Sequence, residues 1–213
     1  MTKGVIFDFN GTLIFDTEYH NRAWDIFLEK YGIEMDDSEK LDKIHGRSNK
    51  DIIINLFGSG LKMETMINYS NEKEEIYREL CRKGDVELAP GAVELIEKLK
   101  NRGIEIAIAT SSGYENIEFY MERFSLLKWF EKEKIVYNDG TIEGKPAPDL
   151  FIRAMERIGC NPCEIVVFED SFFGIEGALK SGIKRVVVVN PEKYVEDKIS
   201  GYEIIRDFRG FSL

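Results

Sequence analysis

Five short apolar runs constrain this chain more than any other feature: "GVIFDF" (residues 4–9), "IEIAIAT" (104–110), "KIVYND" (134–139), "EIVVFED" (164–170) and "IKRVVVVN" (183–190). Most lack clean apolar/polar alternation, as strands buried on both faces do. Segments with helical spacing separate the later runs. Pro90 and Gly91 suit the start of one helix and Gly103 its end. Others are predicted over 114–124, 149–158 and 172–181. Strands alternating with helices predict an α/β fold, a parallel sheet with helices on both faces.

One stretch breaks the alternation. From about 15 to 84 no strand pattern is visible. Ala23, Trp24, Phe27, Leu28 and Tyr31 form an apolar stripe on a predicted helix over 16–31, and more helices are predicted over 48–56, 62–68 and 72–82. The expected organisation is a core of residues 1–15 and 85–213 with an all-helical insert, 16–84. An insert directly after the first strand is expected above the carboxyl edge of the sheet, where ligands bind in this architecture.

Polar residues gather at the strand ends. Asp8, Asn10, Gly11 and Thr12 follow the first strand, and Thr110, Ser111 and Ser112 follow the second. Lys145 lies in "EGKPAPD", and Glu169 and Asp170 close "EIVVFED". In a parallel sheet these ends share one edge. Singly, each residue has an ordinary reading: Asp8 as a turn cap, Thr110 as a helix cap, Lys145 as a surface cation. Together they form a coherent set. Hard carboxylates without histidine or thiolate favour Mg²⁺. Hydroxyl and ammonium groups suit phosphate oxygens, and a carboxylate can accept a phosphoryl group, which makes Asp8 the candidate nucleophile. No GxGxxG follows the first strand and no GKS/T loop occurs, so a dinucleotide or P-loop site fits worse.

The formal net charge is −10, with no basic stripe to displace the counterions of a nucleic acid. A small anionic substrate is compatible with a locally positive site. Cys160 and Cys163 have the spacing of half a zinc knuckle, but no second CxxC accompanies them, and the histidines, His20 and His45, are distant in sequence. No apolar run reaches transmembrane length. With no secretory segment evident, a cytoplasmic protein with free thiols is expected; no oligomer is predicted.

"DFNGTL", "IAIATSS", "GKPAPDLF" and "VVFEDSFFGIEGALKSG" occur in an order that resembles the four motifs of the haloacid dehalogenase (HAD) superfamily. The likeness spans nearly the whole chain and is strongest to the beta-phosphoglucomutase-like phosphatase branch with a helical cap. It implies a Rossmann-like core and an Mg²⁺-dependent phosphatase of small phosphorylated metabolites, sugar phosphates among them. On the residues that match, Asp8 would form an aspartyl-phosphate, while Thr110, Ser111 and Lys145 bind the phosphoryl group. Asp8, the Asn10 backbone carbonyl, Asp170 and Glu169 would hold the metal. His20 matches a cap-hinge histidine of the mutase members. Gly46 and Arg47, in "IHGRSNKD", fall where the cap meets substrate.

Two departures bear on activity. The mutase branch carries an arginine where this chain has Asn49, and a Lys-Asn pair where it has Gly113 and Tyr114; both changes weaken the case for a mutase, which binds a bisphosphate. The family's acid–base aspartate is here Asn10. An amide cannot carry the proton in either direction, and general acid–base catalysis is worth roughly 10²–10⁴ in rate. A slowed phosphatase is the leading expectation; a non-catalytic phosphometabolite-binding protein and a phosphosugar mutase are the alternatives. The amide is a deliberate exchange, a natural loss of the acid, or a position whose work another group performs.

Overall fold

A computed structural model of the chain describes residues 1–36, 39–40, 43–44, 48–189 and 201–213. These divide into two compact units, one of Met1–Phe15 and Val86–Leu213, the other Asp16–Asp85.

The first unit is built on a six-stranded sheet: β1 (Gly4–Phe7), β2 (Glu105–Ala109), β3 (Ile135–Val136), β4 (Ile165–Glu169), β5 (Arg185–Val189) and β6 (Glu203–Ile205). The order is β3-β2-β1-β4-β5-β6, and every pairing is parallel. β1 therefore lies in the middle, at the point where the strand order reverses, the position at which open α/β sheets place their ligands. Its four residues are all buried, as its unbroken apolar run requires.

Successive side chains serve opposite faces. On one, Ile6, Ala107 and Val167 meet Leu150, Phe151 and Ala154, from the helix Asp149–Ile158, and Ile175 and Ala178, from the helix Phe172–Lys180. On the other, Phe7 stacks on Phe168 with ring centroids 5.2 Å apart, and Phe208 meets both edge-on. Side chains of this size contribute about 1.5–3 kcal/mol each when fully buried. The central strands are thus covered on both faces.

The second unit is helical: α1 (Thr17–Lys30), α2 (Asn49–Phe57) and α3 (Met63–Lys83). The helices of the first unit continue the series: α4 (Ala92–Asn101), α5 (Tyr114–Arg123), α6 (Asp149–Ile158) and α7 (Phe172–Lys180). Ser48 starts α2 by accepting from the Asp51 N–H at 3.2 Å. The stripe on α1 buries Trp24, Phe27 and Leu28 against Ile52 and Ile53 of α2, with Tyr69 of α3 packed alongside. Residues 62–68 and 72–82, expected as two helices, form one. The polar stretch between them contains neither Gly nor Pro, so nothing stops propagation, and Tyr69 binds that turn to the core. The polar motifs begin at the strand ends themselves, directly after β1 and β2 and with the last residue of β4, and the C-terminal strand is the short β6. Among the described residues, no helix is long and apolar enough to cross a membrane.

Candidate active site

Asp8 follows β1, and its N–H donates to Phe168 O at 2.9 Å, fixing the strand end against β4. The chain then turns sharply, with the N–H groups of Leu13 and Ile14 both reaching Phe9 O. Gly11 makes the turn with φ +76°; a Cβ there would lie 2.1 Å from Asp170 Oδ2. Only glycine lets the two strand ends approach so closely. Thr12 donates to Asp170 Oδ1 at 3.3 Å.

Glu169 is the last residue of β4 and is fully buried. Its Oε2 accepts from the Ser171 N–H at 2.6 Å and from Ser171 Oγ at 3.0 Å, while Ser171 caps α7 through Gly174 N. A Cβ on Gly174 would meet Glu169 Oε1 at 1.7 Å, so the first turn of α7 wraps the carboxylate only because that residue is glycine. The first glycine of "FFGIEGALKSG" is thus a close-approach position.

Lys145 ties the strand ends together. Its ammonium donates to Asp8 Oδ1 at 2.5 Å and to Glu169 Oε1, with a side chain only 7% exposed. Burial pulls its pKa down, but the two carboxylates outweigh burial and hold it above the ordinary lysine range. For Asp8 burial is the largest influence and pushes the pKa up; Lys145 pulls it back, Glu169 pushes it up again, and it settles at about 7. The cation is shared, so it does not fully compensate either carboxylate.

Asp8, Glu169 and Asp170 bring carboxylate oxygens within 4.8 Å of one another. The donors are all hard oxygens, and they can converge on a small divalent cation such as Mg²⁺. Three carboxylates against one ammonium also leave the cluster with excess negative charge. A cation-binding role fits these residues.

Thr110 follows β2, the neighbour of β1 on its other side, where Phe7 pairs with Ile108. It is 1% exposed, and its hydroxyl accepts from the Ser112 N–H at 3.2 Å. Ser111 is exposed at the same turn. Asn10 is held from two sides: Ser112 Oγ donates to its Oδ1 at 2.8 Å, and its Nδ2 donates to Tyr120 OH at 2.8 Å. Both partners are hydroxyls, which donate or accept by rotation, so the same socket suits a carboxylate. Sequence reasoning missed Tyr120. It reads as a core residue of α5, and its ring does stack on Phe9 at 4.4 Å; nothing in the sequence marks its hydroxyl as a partner of a residue 110 positions away.

His20 lies on α1, within the helical unit. Its Nδ1 meets Lys73 Nζ at 2.8 Å, its Nε2 lies 3.3 Å from Asp16 Oδ2, and its ring stacks on Tyr77 at 3.9 Å. An ammonium can only donate, so Nδ1 accepts and the ring proton sits on Nε2. Asn49 donates to Ser70 and Glu74 of the same unit. Gly46 and Arg47 lie outside the described residues.

A central strand followed directly by Asp8, a neighbouring pair of acids and a lysine that joins Asp8 to Glu169 match the ordered motifs of the sequence. The chain belongs to the haloacid dehalogenase-like hydrolase family, which matches residues 5–188. It is 31% identical to a beta-phosphoglucomutase of Bacillus subtilis over 87% of this chain and 83% of that protein. It is 29% identical to a phosphorylated carbohydrates phosphatase of Thermotoga maritima over 86% of this chain and 83% of that one. Among solved structures, a HAD hydrolase of family IA, variant 3, from Entamoeba histolytica superposes with a TM-score of 0.92 at 35% identity, covering 100% of this chain and 96% of its own. The fold is the Rossmann-like fold of these hydrolases.

Proposed function

We propose that this protein is a phosphatase of small phosphorylated metabolites, sugar phosphates foremost, with Asp8 as nucleophile and with turnover slowed by Asn10. The observation that carries the proposal is the convergence of Asp8, Lys145, Glu169 and Asp170 at the ends of β1 and β4. The relative from Thermotoga maritima, named for phosphorylated carbohydrates, supports the substrate class.

A carboxylate oxygen of Asp8 forms a bond to phosphorus as the bond to the leaving oxygen breaks, and the electron pair stays on that oxygen. Thr110, Ser111 and Lys145 hold the phosphoryl oxygens. Hydrolysis of the aspartyl-phosphate returns Asp8. Asp8, Asp170 and the Asn10 carbonyl would hold Mg²⁺. Glu169 has both oxygens engaged, by Lys145 and by Ser171, so it serves this site best through a water. When bound, the metal would offset the negative charge that the carboxylates and the phosphoryl group bring together. In this reading the unit 16–85 serves as a cap, with His20, Gly46 and Arg47 as its contributions to substrate recognition.

A binding protein without turnover is the second reading, and Asn10 favours it: an amide tied to Ser112 and Tyr120 has no proton to exchange. A mutase is the third, and Asn49, committed to Ser70 and Glu74, argues against it. Hydrolysis of p-nitrophenyl phosphate separates the first two readings, measured with Mg²⁺, with chelator and in Asp8→Ala, the Asn10 peptide being checked by mass. The expected outcome is Mg²⁺-dependent turnover that Asp8→Ala lowers to background. Turnover that survives in Asp8→Ala defeats the covalent role; no turnover in the parent chain leaves the binding reading.

A further inference from the structure

A cavity of about 300 Å³ opens on the first unit, at the β3 edge of the sheet. None of the residues placed in the active site lines it. β3 is the edge strand, two places from β1, so the cavity and Asp8 belong to different parts of the sheet. Its volume is at the lower end of the range for small-molecule sites.

The lining has two characters. Ile117 of α5 and Ile135 of β3 supply buried apolar surface, and the rings of Tyr114 and Tyr137 meet at 5.9 Å, tilted by 45°. Tyr114 is braced by its own helix, its hydroxyl donating to Glu118 at 2.6 Å. The lining thus offers both apolar and aromatic surface to a flat ring. The charged residues are Lys132, Arg153 and Arg157 against Glu133 and Asp139, a surplus of one positive charge in a chain whose formal net charge is −10.

These cations are not equivalent. Arg153 is committed, its guanidinium donating to Asp139 at 2.8 Å and to Thr141 Oγ1 at 3.1 Å. Asp139 in turn is fastened by the Thr141 hydroxyl and N–H, at 2.6 and 2.9 Å. Arg157 stands one turn along α6 from Arg153, and Lys132 lines the same cavity. Among the described residues, neither makes an ion pair. Two uncommitted cations beside aromatic and aliphatic walls, with one net positive charge, suit a ligand that brings a single negative charge and a ring.

We infer that the cavity between α5, β3 and α6 is a second ligand site, which takes a small aromatic monoanion, its ring against Tyr114 and Tyr137 and its charge on Arg157 and Lys132. The inference does not depend on the phosphatase reading. A dianion such as inorganic phosphate fits worse, because Glu133 and Asp139 remain in the lining and the walls offer a phosphate nothing apolar to gain.

The probe is 2-naphthoate, with neutral 2-naphthamide as its isosteric control. Binding is followed by calorimetry on the full chain and mapped by amide chemical shifts. The parent chain and Asp8→Ala should bind 2-naphthoate alike, at millimolar affinity or better, with the largest shifts at Ile135 to Tyr137. Arg157→Gln combined with Lys132→Gln should weaken it roughly tenfold or more, since hydrogen bonds to charged groups are lost. Both residues are exposed, so the double variant should fold. The neutral amide should bind comparably weakly to parent and double variant. Three results would overturn the inference: no saturation by about 10 mM, equal affinity in the double variant, or shifts that cluster at Asp8 and vanish in Asp8→Ala.

Discussion

Each unit of this protein buries a lysine, and the two lysines solve different problems. Lys145 lies between Asp8 and Glu169, carboxylates delivered by the ends of β1 and β4. Lys73, with a side chain 2% exposed, lies within the helical unit against Glu74 at 2.9 Å, His20 Nδ1 at 2.8 Å and the rings of Trp24 and Tyr77. Around Lys145 the carboxylates outnumber the ammonium; burial above all, with the Glu169 charge added, raises the pKa of Asp8 to about 7 against the pull of Lys145. Around Lys73 one carboxylate, one imidazole nitrogen and two ring faces share the charge. The first cluster carries excess negative charge, as the proposed cation site requires; the second is satisfied by its own unit and reads as a brace. The same residue type, with its side chain buried in both places, differs in role because its surroundings differ in charge balance.

Removing each lysine tests the contrast. Lys145→Met leaves two buried carboxylates uncompensated and should cost about 3–5 kcal/mol of stability in metal-free protein. Urea unfolding measures this, and a cost below 1 kcal/mol on that scale would show that the cluster does not need its cation. Restoring the missing acid should be next in size. Asn10→Asp should speed hydrolysis of a sugar phosphate by roughly 10²-fold. The Ser112 and Tyr120 hydroxyls can both donate to the new carboxylate, so the fold should accept it. A burst experiment that resolves phosphorylation from dephosphorylation is the proper readout, and if neither step quickens, another group moves the proton.

Lys73→Met should cost less, about 1–3 kcal/mol. Glu74 keeps the hydrogen bond from Asn49 at 2.6 Å, and its side chain, 18% exposed, retains some water. Equal losses in the two lysine variants, by the same urea measurement, would erase the distinction drawn here. A further effect concerns pH. A carboxyl that titrates near 3.8 when unfolded and about 7 when folded keeps its proton in the native state between those values. In metal-free protein the contribution of Asp8 to stability therefore falls as pH rises through that interval, and is level above it. Asp139 and Glu164, held down to about 2 by hydrogen bonds and ion pairs, act at lower pH and in the opposite sense. The difference between the parent chain and Asp8→Asn, followed by urea unfolding from pH 4.5 upward, isolates the slope; a difference independent of pH would show that Asp8 is ionised throughout.

Local pattern carried much of the fold. The runs that became β1, β2, β4 and β5 were visible because central parallel strands are apolar on both faces, and α1 showed its stripe. The two-residue β3 is shorter than the run that announced it, and the three-residue β6 carries little pattern of its own; pairing with a neighbour defines the extent of both. The continuity of α3 was hidden because a polar turn in mid-helix looks like a break, although Tyr69 holds it to the core.

The sequence by itself determined which residues stand at the strand ends. A strand of given length ends where its apolar run ends, and the next polar residue falls at the sheet edge by covalent connection alone. Asp8, Thr110, Glu169 and Asp170 were therefore identifiable before any distance was known. Only the tertiary structure decided which side chains meet. Lys145 reaches Asp8 across 137 positions, Tyr120 reaches Asn10 across 110, and Lys73 reaches His20 across 53. Such contacts have no period and no fixed spacing. They arise where independent strands, turns and helices are packed together, and the charge balance that gives each lysine its role exists only after that packing.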